Sequence, residues 1–164
     1  MYLHNMHIHA FMRARKQPSK TLRTDAATMV GACAGWNARL AVRRITRFLD
    51  REMAGLGLSA AQLGLMAQIA AASDDTLGAL AERAGLDQST LSRNLRTLEN
   101  SGLIEIATVE NDLRRRVVWL TETGARRLEA AIPVWRAAHE ALAKRLSPDL
   151  ARRLAKQAEM LGGD

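Results

Sequence analysis

The chain has 164 residues, 48% of them apolar and only 4% aromatic, with a formal net charge of +7 at pH 7 and a sequence pI of about 10.7. That length fits one domain or two small lobes sharing a core, and an alanine- and leucine-rich composition with few aromatics favours helix over sheet. No apolar run reaches the ~18 residues of a membrane span, the single cysteine excludes an intramolecular disulfide, and the cationic balance suits a polyanion or a solvated basic face.

Residues 1–24 read as a disordered basic tail or a partner-dependent arm. Arg13, Arg15, Lys16, Lys20 and Arg23 crowd around Pro18 and Ser19 with no sustained apolar period. No signal-peptide core with a cleavage site is present, so a cytoplasmic location is expected. His4, His7 and His9 lie close together, but no helix or second cluster fixes them, and they are read as a histidine-rich start rather than a metal site. No metal or cofactor is expected.

From Asp25 to about Met53, Val30, Cys33, Asn37, Leu40, Ile45, Phe48 and Leu49 recur at three- and four-residue steps and predict one helix. Arg39, Arg43, Arg47 and Arg51 lie four apart and form a basic stripe on it. Gly55-Leu-Gly57 ends the helix. The string Gly55-Leu-Gly-Leu-Ser-Ala60 has the glycine spacing of a dinucleotide loop, but it follows a helix rather than a strand and is read as a helix end. Ser59-Ala-Ala-Gln62 is a capping box, opening a helix through Leu63, Met66, Ile69 and Ala70.

Ser73-Asp-Asp75 is a turn, and Leu77 to Asn100 then reads as a helix-turn-helix. Ala81 is small where two helices must approach, Gly85 permits the positive φ of a sharp turn, and Leu91 plugs the second helix onto the first. Asp87 sits at the N-cap. Leu91, Leu95 and Leu98 take the buried face, with Leu80, Ala84 and Leu86 completing a small core. Gln88, Ser89, Ser92, Arg93 and Arg96 are left at or beside the outer face. Ser101-Gly102 ends the helix in a left-handed turn. Ile104, Ile106 and Thr108 alternate against Glu105 and Ala107 as a half-buried strand. Asn111-Asp112 turns, and Val117 to Leu120 returns as a second strand. A helix sized for the major groove beside a hairpin tipped with arginines is a device for holding duplex DNA.

Thr121 caps the next helix, in which Leu128, Ala131, Ile132, Trp135, Ala138, His139 and Leu142 recur up to about Leu146 around Pro133, a candidate kink. His139 sits on its apolar side as a packing or interface residue. Ser147-Pro148-Asp149 restarts a helix through Leu150, Leu154, Ala158 and Leu161, with an N-cap, proline at N1 and acid in the first turn. The helices at the two ends carry more apolar surface than one small module can cover, which predicts a homodimer built from them.

These residues resemble the MarR family of bacterial transcriptional regulators over about residues 31–146. Cys33 to Asp50 is similar to the family's first helix, Leu58-Ser-Ala-Ala-Gln62 to the opening of its second, and Leu77 to Ile104 to its reading head. Asp112-Leu-Arg-Arg-Arg116 with Leu120-Thr-Glu-Thr-Gly124 is similar to its wing and the helix after it. The resemblance implies a mainly α fold with a small β wing: one domain over residues 25–164, with a winged helix-turn-helix at 59–120 between dimerisation helices at 25–55 and 121–164. It further implies a homodimer on a pseudo-palindromic operator in double-stranded DNA, usually a repressor, often released by a small-molecule effector or by oxidation. A non-specific DNA-compacting protein is the alternative. An enzyme is disfavoured, since no nucleophile–base set appears.

Arg93 is the candidate for reading a base, through two hydrogen bonds to guanine O6 and N7. Gln88, Ser89, Thr90 and Ser92 are candidates for base or phosphate contacts at a helix N-terminus, and Arg96 for phosphate. The resemblance places Arg114 in the minor groove and Asp112 as the acid that orients the wing arginines; Arg115 and Arg116 are candidates for binding phosphate or for pairing with acids of the module. Cys33 falls two residues from the reactive cysteine of the family's oxidation sensors, and the tyrosines that hold that cysteine are missing. It is read as a buried structural thiol, with a redox sensor as the other reading. Trp36, Met66 and Trp135 are candidates either for lining an effector pocket or for packing.

Overall fold

The computed structural model describes residues 20–109 and 112–161, and of residues 112–114 the backbone alone. The chain divides into two compact units between Arg43 and Arg44.

The first unit holds α1 (Lys20–Ala32) and the start of α2 (Ala34–Glu52), which continues into the second. Two expectations are corrected here. The helix begins inside the stretch read as tail, and the single helix of 25–53 is two helices that break at Cys33. Gly31 and Gly35 flank the break, and glycine within a helix costs ~1 kcal/mol relative to alanine. The amide of Cys33 still donates to the Met29 carbonyl (2.9 Å) and that of Asn37 to the Cys33 carbonyl (3.0 Å), so the ladder is carried across. The Asn37 side-chain amide donates to the Gly31 carbonyl at 2.9 Å, which satisfies an acceptor left over at the end of α1. No residue of α1 is buried.

In the second unit, α2 buries Phe48, whose ring lies under the guanidinium groups of Arg51 and Arg145 at 6.0 and 5.0 Å. A 3₁₀ turn (Ala54–Leu56) ends on Gly57 at φ 63°, as the glycine pair predicts. α3 (Ala60–Ala71) starts with both halves of its capping box formed: the Gln62 amide donates to Ser59 Oγ and the Ser59 amide to Gln62 Oε1. Asp50 adds a third clasp by accepting from the Ala60 amide at 2.7 Å. Then come α4 (Leu77–Ala84), α5 (Gln88–Asn100), the strands β1 (Ile104–Val109) and β2 (Asp112–Leu120), α6 (Glu122–Ala143), α7 (Pro148–Ala158) and a last 3₁₀ turn (Glu159–Leu161).

α3 packs against α4, α6 and β2, and β1 rests on α5. Leu65, Met66, Ile69, Leu80, Leu91, Leu95, Leu98, Leu103, Ile104 and Val118 form one buried cluster. Met53, Leu63, Ala131 and Ala138 form a second, joined by Leu49, Leu56 and Leu128. The strands are antiparallel, Ile104 facing Leu120 and Thr108 facing Arg116, while Val109 faces Asp112. Leu113, Arg114 and Arg115 therefore oppose no residue of β1: the second strand starts earlier than expected, and Arg114 and Arg115 sit in a bulge while Arg116 stays paired.

Thr121 caps α6 by accepting from the Gly124 amide at 2.9 Å, and Pro133 is carried inside this helix without ending it. α6 stops at Ala143, short of the expected Leu146. Ser147 stands at the N-cap of α7 but makes no side-chain cap bond, so there the expected role is not filled.

Candidate nucleic-acid interface

The reading helix is set by its first turn. Gly85 lies at φ 59°, and the Leu86 amide reaches back to the Ala81 carbonyl at 3.2 Å, which closes α4 and turns the chain in the three residues before α5. Asp87 then caps α5. Its Oδ1 accepts from the Thr90 amide (2.8 Å) and the Ser89 hydroxyl (2.6 Å), and its Oδ2 from the Thr90 hydroxyl (2.9 Å). The Ser89 hydroxyl, then the Thr90 amide and hydroxyl, hold the Asp87 carboxyl at about 2, below its ordinary 3.8.

This has a chemical consequence for two candidate contact residues. An ionised carboxylate only accepts, so Ser89 and Thr90 commit their hydroxyl protons to Asp87 and present lone pairs outward. Phosphate oxygens also only accept, and neither hydroxyl can donate to one without leaving the cap. Gln88, Ser92, Arg93 and Arg96 are exposed, opposite the buried Leu91, Leu95 and Leu98, and are free of that constraint. At 1.5 Å per residue α5 is ~20 Å long, against a major groove ~12 Å wide.

The pH dependence of the cap follows from its sign. A carboxyl lowered by folding contributes stability that is complete above its unfolded value and is lost as pH falls through the folded one, here from 3.8 to about 2. Asp87→Asn is expected to remove that part of the acid sensitivity. Thermal midpoints of both proteins across this window check it, and parallel slopes would refute the assignment.

The wing is strapped to the helix pair through residues that the sequence presents only as a turn. Thr76 bridges to Val117, and the Val118 amide donates to the Asp75 carbonyl at 2.9 Å. Asp74 Oδ1 accepts from the Thr76 amide at 2.8 Å, and the Arg83 guanidinium donates to the Asp74 carbonyl at 3.0 Å. The Thr76 amide and hydroxyl lower the Asp74 carboxyl, with help from the charges of Arg115 and Arg83. Arg115 and Arg116 are exposed. The side chains of Asp112 and Arg114 lie outside the described residues, as do His4, His7 and His9.

Of the remaining candidates, Cys33 and Trp36 belong to the first unit and Met66 and Trp135 to the second. Cys33 is exposed at the helix break, which corrects the expectation of a buried thiol. Trp36 is half-exposed in the first unit. Met66 is 0% exposed inside the helix-turn-helix core, so the core reading describes it. Trp135 lines a cleft of about 520 Å³ with Ile45, Leu49, His139, Leu142 and Arg152. The His139 ring lies 4.1 Å from that of Trp135, its Nδ1 2.9 Å from the Trp135 carbonyl.

Residues 56–115 match the MarR family. The transcriptional regulator HosA of Escherichia coli O127:H6 is 41% identical over 71 residues, which are 43% of this chain and 53% of that protein, so the chain spans about half the length of this relative. Among solved structures, the M. tuberculosis transcriptional regulator MosR in complex with DNA superposes with a TM-score of 0.70 at 28% identity, covering 79% of this chain and 96% of that one. A mutant of E. coli MarR complexed with operator DNA gives 0.67 at 25% identity, covering 82% and 98%. Among the described residues, no helix is long and apolar enough to cross a membrane.

Proposed function

We propose that this chain, whose residues 56–115 match the MarR family, is a homodimeric, sequence-specific DNA-binding transcriptional regulator of that family, a repressor relieved by a small ligand or by oxidation. The observation that carries the reading is α5 itself: a capped helix with Gln88, Ser92, Arg93 and Arg96 exposed on one side, anchored by three leucines on the other, beside a wing tied to the same module. In this reading Arg93 reads a base, Arg96 and Arg116 meet phosphate, and Arg114, oriented by Asp112, enters the minor groove.

Dimerisation is supported by apolar surface that the single chain leaves open. Leu150 and Leu154 of α7 are exposed, Met160 and Leu161 are 83% and 88% exposed, and Trp135 and Ile132 of α6 remain half-open. A two-fold pair built through these helices presents two reading helices to half-sites one DNA turn, ~34 Å, apart. The Trp135 cleft and the exposed Cys33 thiol supply the places where a ligand or an oxidant would act. The protein works in the cytoplasm, without catalysing a reaction.

Titrating the chain by fluorescence anisotropy against DNA from its own upstream region, with random duplex as competitor at ~150 mM salt, is expected to show a preference of about a thousandfold or more. Equal binding to every duplex in a genome-wide selection of bound sequences would instead favour non-specific compaction.

A further inference from the structure

The end of α5 meets the start of α6 at one side chain. Thr121 Oγ1 donates its proton to the Gly102 carbonyl at 2.7 Å and, with its lone pair, accepts from the Gly124 amide at 2.9 Å. The Thr121 amide donates to the Leu103 carbonyl at 3.1 Å. Gly102, at φ 66°, is the residue on which α5 turns off, and Leu103 is tied back by its amide to the Leu98 carbonyl at 3.0 Å. Gly124 is buried against the Leu103 carbonyl, so closely that no side chain fits between them. One hydroxyl thus does two separable things: its lone pair caps α6, and its proton clasps the exit of α5.

We propose that Thr121 is a positioning residue for DNA reading, fixing the angle of α5 to α6 so that the side chains at the other end of the reading helix meet base edges in register. The inference rests on the regulator reading above. A polar constellation must be held to about 0.5 Å to be productive, and the opposite end of α5 is held by its own cap at Asp87, by leucine packing and by the turn that the Leu86 amide closes on Ala81. The Gly102 and Leu103 carbonyls are the points where hydrogen bonding ties the helix exit to Thr121 at the start of α6, and the Gly102 carbonyl is the one held by the side chain.

The two roles separate by chemistry. Thr121→Asp keeps an acceptor for the Gly124 amide but has no proton for Gly102, and it faces that carbonyl with a like charge. Thr121→Ser keeps both. For Thr121→Asp the ratio of affinities for upstream DNA and random duplex is expected to fall by about tenfold, equivalent to losing one base contact, with the melting midpoint held. Thr121→Ser should stay within about twofold of the unsubstituted chain. The ratio cancels the general effect of the added charge, which is screened over ~8 Å at physiological salt. In the same samples, amide exchange of residues 97–103 should quicken for Thr121→Asp alone. An unchanged ratio in Thr121→Asp, an equal loss in Thr121→Ser, or a Thr121→Asp chain that does not fold would each overturn the proposal, the last because the joint would then hold the fold rather than aim the helix. If the unsubstituted chain shows no preference between duplexes, the regulator reading fails, and the exchange rates still decide: unchanged exchange at residues 97–103 overturns the clasp.

Discussion

Gly124→Ala is expected to destabilise the fold by about 3 kcal/mol or more, at or beyond the usual cost of overpacking. A Cβ at this position would lie 1.9 Å from the Leu103 carbonyl oxygen and 2.8 Å from its carbon. Those are backbone atoms, and they cannot step aside. The Leu103 carbonyl accepts the Thr121 amide at 3.1 Å, while its own amide is held by Leu98 at 3.0 Å. Relief would require moving α6 off the exit of α5, which breaks the Thr121 cap and opens the core around Leu103 and Ile104. Urea unfolding is the measurement, read as a drop in midpoint at constant slope. Gly64 gives the contrast: it is exposed within α3, has nothing within 4 Å of an added Cβ, and Gly64→Ala should gain up to ~1 kcal/mol from helix propensity. A Gly124→Ala midpoint matching that of the unsubstituted chain would show that the two segments can separate freely.

Arg93→Ala is expected to weaken binding to the preferred duplex by about 10- to 100-fold, the ~1–3 kcal/mol of one bidentate base contact, with a much smaller loss on random DNA. Arg93 is exposed, and among the described residues no hydrogen bond or ion pair engages its guanidinium, so its removal should leave the melting temperature in place. Arg96→Ala serves as the internal comparison. A residue that touches phosphate alone lowers affinity for every duplex alike and reduces the salt slope by about one. If Arg93→Ala behaves in that way, Arg93 holds the backbone and the base reading lies with Gln88 or Ser92.

What the amino-acid sequence determined by itself is what acts over three or four residues. Ser59 and Gln62, Asp87 with Thr90, Gly85, Gly102 and Thr121 with Gly124 each complete an interaction within one turn of chain, and each forms where its residue type predicts. The stripe of Leu91, Leu95 and Leu98 was legible for the same reason, since helical period states which face is buried. Ser147 marks the margin of that rule: its position is a cap, but no bond forms. The break at Cys33 was foreshadowed only by Gly31 and Gly35, and apolar spacing runs straight through it.

The tertiary structure alone decided the contacts between segments far apart in the chain. No period or cap pairs Asp75 with Val118, aims Asp50 at the Ala60 amide, brings Arg127 to the Leu56 carbonyl, or sets Gly124 against Leu103. Nor could residue type say that Ser89 and Thr90 turn their protons inward, because a hydroxyl rotates toward whichever acceptor the fold places beside it, and that acceptor is Asp87. Local chemistry chose the helices and their reading face; the joints that hold the face at a fixed angle exist only once distant backbone groups have been brought within hydrogen-bond reach of one another.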